Sequence, residues 1–83
     1  MNKEHTRFHL QEAFEAIQSI LVQLKDDSDY NEGDYFPDMQ HLYYHINTAW
    51  NGRDATDEQV KLCSEADFEK WSAFPSDMPT FIA

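Results

Sequence analysis

Apolar residues recur through the first part of the chain at Leu10, Ala13, Phe14, Ile17, Ile20, Leu21 and Leu24. The steps from 10 to 14, 17, 21 and 24 alternate four and three, the spacing of a helix that packs along another helix. The pattern predicts one amphipathic helix over about residues 4–25, with Gln11, Glu12, Glu15, Gln18 and Gln23 off its stripe.

A second stripe holds Met39, Leu42, Tyr43, Ile46, Ala49 and Trp50. It predicts a helix over about residues 37–52, with Pro37 in the first turn, Asp38 at the positive end, and Gly52 and Arg53 at the stop. Between the stripes lies a run without a base, holding Asp26, Asp27, Asp29, Glu32 and Asp34, with Gly33 inside it and Pro37 just beyond. Such density of like charge reads as an acidic connecting loop over about residues 26–36. A short connection makes the two helices an antiparallel hairpin.

Thr56-Asp57-Glu58-Gln59 has the form of a capping box, and Ser64 offers a second cap. Val60, Cys63 and Ala66 fall on a different face from Phe68, Trp71 and Phe74. Two short helices, about 57–63 and 65–74, resolve that conflict of phase, and Pro75 stops the run. A tail over 75–83 carries Met78, Phe81 and Ile82, placed to fold back on the hairpin or to fit a partner. Nothing alternates with period two, so the fold class is all-α: a small bundle in one domain of 83 residues.

Charge narrows the partners. Sixteen acids against six bases give a net charge of −10. Phosphate-driven binding of nucleic acid and adhesion to anionic membranes are both disfavoured. A basic protein surface fits. The single cysteine, Cys63, allows no internal disulfide and agrees with a reducing compartment. The opening residues carry charge throughout and show no secretory signal, and no stretch reaches the roughly 18–20 apolar residues of a membrane span. The expectation is a soluble, cytoplasmic interaction module, with Tyr35, Tyr44, Asp27, Asp29, Glu32 and Asp34 as its contact residues. It binds a protein partner or a second copy of itself.

Candidate chemistry lies mainly in histidine. All four fall into helical i, i+4 pairs, His5 with His9 and His41 with His45. That spacing sets two imidazoles on one face, where they can share a divalent metal, and Asp38 one turn before His41 is a third candidate ligand. The glutamate that serves as base in the zinc-protease motif is missing, since Gln40 and Leu42 flank His41. With both pairs near the starts of antiparallel helices, rise per residue sets them ~15–20 Å apart, so one chain would not unite them.

The acidic loop invites a calcium comparison. Counting from Asp27, Asp29 and Asn31 fall on the third and fifth positions of an EF-hand loop and Asp38 on the twelfth. Glu32 stands where glycine is required, and the last position is Asp rather than Glu. No nucleophile elbow or phosphate loop is present, and Cys63 has mainly acidic neighbours, so no catalytic residue is assigned.

Overall fold

The computed structural model describes residues 1–79 and 81. Its elements are α1 (Lys3–Asp26), α2 (Glu32–Asn51), α3 (Asp57–Leu62) and α4 (Glu65–Ser72), with no strand among the described residues. α1 and α2 pack against each other, and α4 packs on α2. The expected all-α bundle is present. No helix among the described residues is long and apolar enough to cross a membrane.

Caps set the helix ends. Asn2 accepts from the His5 N–H and donates its amide to the Ala55 carbonyl at 2.8 Å, tying the start of α1 to the far end of α2. Thr56 and Gln59 form the expected capping box of α3, and Ser64 caps α4. Each short helix ends sooner than the sequence suggests. Cys63 closes α3 in the left-handed conformation at φ 40°, and α4 stops at Ser72. The free carbonyls at the end of α4 have dedicated donors on α2: Asn47 donates to Ser72 at 3.1 Å and Asn51 to Trp71 at 3.0 Å.

The connection between α1 and α2 is a correction to the sequence reading. It spans 27–31, and α2 begins at Glu32, five residues ahead of the expected start. Asn31 accepts from the Gly33 N–H at 2.8 Å while Asp34 accepts from the Asn31 N–H at 3.1 Å, a complete capping box. Glu32 and Asp34, counted as loop residues because they repel, instead sit in a first turn whose free N–H groups favour negative charge. Pro37 lies inside the helix as its sixth residue. There it only removes the donor for the Gly33 carbonyl, close to the end where the ladder is weakest.

Burial is the second correction. The stripe of Leu10, Phe14, Ile17, Leu21 and Leu24 does not face α2; these side chains are 41–60% exposed. The buried positions of α1 are His5, Thr6, His9, Ala13 and Ile20. On α2, Leu42 and Ala49 are buried as expected, but Tyr43 and Ile46 are open to solvent. The apolar cluster consists of Ala13, Ile20 and Leu42, with Ala16 and Met39 against it. Small residues at the seam let two helices approach closely. Gly52 extends this: a Cβ there would stand 2.9 Å from the Thr48 carbonyl and 3.2 Å from His5 Nε2.

Beyond α4, Phe74, expected as the last residue of the fourth helix, meets Tyr43 at 5.2 Å, and Asp77 of the tail accepts from the Trp50 indole at 3.1 Å. Met78 and Phe81 are exposed, and Ile82 lies outside the described residues.

Candidate functional site

Starting α2 at Glu32 resets the register of the hairpin. The Asn2 N–H now donates to the Arg53 carbonyl, and His9 comes opposite His45. His41 and His45 are the tenth and fourteenth residues of α2 rather than lying at its start, and this middle stretch runs beside the first half of α1. The two pairs expected ~15–20 Å apart therefore form one row. His5 and His9 meet edge to face at 4.7 Å between ring centroids. His9 Nδ1 lies 2.9 Å from His45 Nδ1, and His45 Nε2 lies 3.1 Å from His41 Nε2. His5, His9 and His45 are buried, while His41 opens to solvent.

Each nitrogen–nitrogen contact needs one N–H and one lone pair, and a neutral imidazole has one of each. His45 is bonded through both nitrogens, so its single proton decides the direction of the row. With the proton on Nδ1 it donates to His9 and accepts from His41. With the proton on Nε2 it donates to His41 and accepts from His9. The three tautomers are therefore locked together.

Burial favours the neutral rings. It lowers the pKa of His9 to about 4, helped by the neighbouring His5 and His45. Burial lowers His5, and burial with the charge of His41 lowers His45, against an opposing pull from Glu12. Three polar atoms in the same half of the hairpin, His5 Nε2, Thr6 Oγ1 and Thr48 Oγ1, are buried with no protein hydrogen-bond partner.

The remaining candidate residues scatter. Tyr44 is half-buried, tilted against Phe68 at 5.5 Å and edge-on to His9 at 5.9 Å, so it packs α2 to α4 and is no open contact residue. Burial raises its phenol pKa, with Cys63 adding to the shift. Tyr35, Glu32 and Asp34 are exposed on the first turn of α2, and Asp27 and Asp29 are exposed in the connection. Asp27 accepts from the Asp29 N–H at 3.0 Å. Asp38 accepts from the Tyr30 hydroxyl at 2.7 Å, which occupies one oxygen of the expected third metal ligand. The twelve-residue loop of the calcium comparison is not formed, because its positions from Glu32 onward are helical. Among the described residues, no three His, Cys, Asp or Glu side chains are arranged to hold a metal ion.

What sequence reasoning missed was the burial of His5 and His9. One signal would have found it: Asn31-x-x-Asp34 has the form of a cap followed by an acid at the third helical position. A helix begun there brings the histidines together.

One uncovered face of the hairpin is apolar. Leu10, Phe14, Ile17, Leu21 and Leu24 form one exposed face of α1, and Tyr43 and Ile46 on α2 are exposed as well. The chain exposes 6547 Å², whereas a compact monomer of 9.8 kDa exposes roughly 5,200 Å². Its radius of gyration is 14.6 Å, against roughly 12 Å for a compact chain of this length. Compared with family models, curated protein sequences and solved structures, the chain matches none of them.

Proposed function

We propose that this chain is a small acidic interaction module that pairs with a second copy of itself through the apolar side of its hairpin. The observation that carries the reading is the exposed stripe of Leu10, Phe14, Ile17, Leu21 and Leu24. Its four-three spacing is that of a seam between helices, yet α2 packs on another side of α1. The surplus surface, roughly 1,400 Å², exceeds the roughly 800 Å² that each partner gives to a standard interface.

Charge supports a second copy despite the net −10. Continuing the four-three spacing toward the N-terminus reaches Arg7 and Lys3, and Lys25 borders the other end. Three of the six basic residues thus lie along the stripe, while Glu4, Glu12 and Glu15 fall on the far side of α1 at ~100° per residue. Pairing through this side keeps most acids apart. Those acids, with Asp27, Asp29, Glu32 and Asp34, then face outward, where a basic protein is the complementary partner. A cytoplasmic setting belongs to the same reading and rests on the lone Cys63 and the acidic composition.

Light scattering coupled to size exclusion at micromolar concentration tests the pairing. A dimer is expected, retained at ~0.5 M salt because apolar burial and not charge holds it. Ile17→Glu should give a monomer with unchanged helix content by circular dichroism. A wild-type chain that stays monomeric at several hundred micromolar would sink the reading.

A further inference from the structure

We propose that His41 and His45 chelate one transition-metal ion, nickel or copper in preference to zinc, through their Nε2 atoms, with His9 as the positioning residue behind them. The two Nε2 atoms face each other at 3.1 Å with the rings at 87°. At a metal–nitrogen distance of ~2.1 Å that separation subtends ~95° at the metal. This lies closer to the ~90° between adjacent positions of a square-planar or octahedral ion than to the tetrahedral angle of zinc.

A chelating histidine needs its second nitrogen fixed, and here the fold supplies the fixing group. His45 Nδ1 lies 2.9 Å from His9 Nδ1. When the His45 proton sits on Nδ1, it donates to the His9 lone pair, and Nε2 is left free to coordinate. His41 then carries its own proton on Nδ1.

Access is open from the exposed His41. That residue lines a pocket of about 270 Å³ together with Glu12, Glu15, Ser19 and Asp38. Three carboxylates around the entrance raise the local concentration of cations. They do not converge with the imidazoles into a three-residue site, so water completes the coordination sphere. Divalent ions with two nitrogen ligands and several waters follow the affinity order in which copper and nickel exceed cobalt and iron. The pairing of whole chains uses the other side of α1, so this site stands whether or not the chain dimerises.

Calorimetric titration with nickel chloride alone, at neutral pH, tests the site. One ion per chain is expected, and His41→Ala, compared at equal helix content by circular dichroism, should weaken binding at least tenfold. Electron paramagnetic resonance of the copper form should show two coordinated imidazole nitrogens. For His9, Gln keeps an acceptor opposite His45 Nδ1 and Leu does not. His9→Gln should bind nickel within a few-fold of wild type, and His9→Leu ~10–100-fold more weakly at equal helix content. No binding at millimolar nickel, equal binding by wild type and His41→Ala, or a single coordinated nitrogen would overturn the chelate. Equal affinity of the two His9 variants would overturn the positioning role.

Discussion

His9 and His45, thirty-six positions apart in the chain, meet through their Nδ1 atoms at 2.9 Å inside the hairpin. The contact puts three buried imidazoles where an ordinary hairpin places aliphatic side chains. It has two consequences, one for pH and one for the polar groups around it.

Acid should loosen the hairpin well before carboxylates titrate. The folded chain holds His9 down to a pKa of about 4, against 6.5 for the free side chain, and His5 and His45 move in the same direction. A lowered pKa means that the unfolded state binds the proton more readily. Stability is therefore complete above pH ~6.5 and falls as pH drops from there toward ~4. For His9, solvent screening reduces the loss to about 1–2 kcal/mol. Urea unfolding at pH 7 and pH 5 measures it directly. Equal stabilities at the two values would contradict the buried neutral row.

Thr48 is the most buried of the described residues at 1% exposure, and its hydroxyl has no hydrogen-bond partner among them. A buried hydroxyl without a hydrogen bond costs about 1–3 kcal/mol. Thr48→Val keeps the branched shape and removes that group, so it should raise stability by about 1 kcal/mol. Thermal melts compare the two chains. A loss of stability would mean that the hydroxyl is bonded in solution and that this half of the hairpin is wetter than the protein contacts indicate.

Asn31 decides where α2 begins, and the register of the histidine row follows from it. Asn31→Ala removes the acceptor for the Gly33 N–H and should cost about 1 kcal/mol. It should also speed amide exchange over Gly33–Phe36 while leaving α4 unaffected. Unchanged exchange there would place the helix start near Pro37.

Much of the fold was legible in the sequence because caps and stops are local chemistry. Thr56, Gln59, Ser64 and Asn31 act within three residues of themselves, and three of the four were read correctly. The site was less legible because it depends on register and on which face is buried. Counting Glu32 and Asp34 as repelling loop residues shifted α2 by more than a turn and separated His9 from His45. Choosing the most apolar stripe of α1 as its inner face hid the buried histidines. The chain instead turns small and polar residues, Ala13, Ala16 and Thr6, toward α2, and Leu21 outward.

That inversion gives a sharp contrast between two leucines. Leu42 is 7% exposed in the seam, whereas Leu21 is 60% exposed on the open side. Leu42→Gln should destabilise the chain by about 2–4 kcal/mol at every concentration, because it replaces an aliphatic group in the seam with an amide that has no partner there. Leu21→Gln should shift the stability of a single chain by no more than ~0.5 kcal/mol. If two copies pair through Leu21, the wild-type melting temperature rises with protein concentration by mass action. The Leu21→Gln chain should lose that rise while matching wild type at high dilution. A wild-type melting temperature independent of concentration would show instead that no second copy covers the open side.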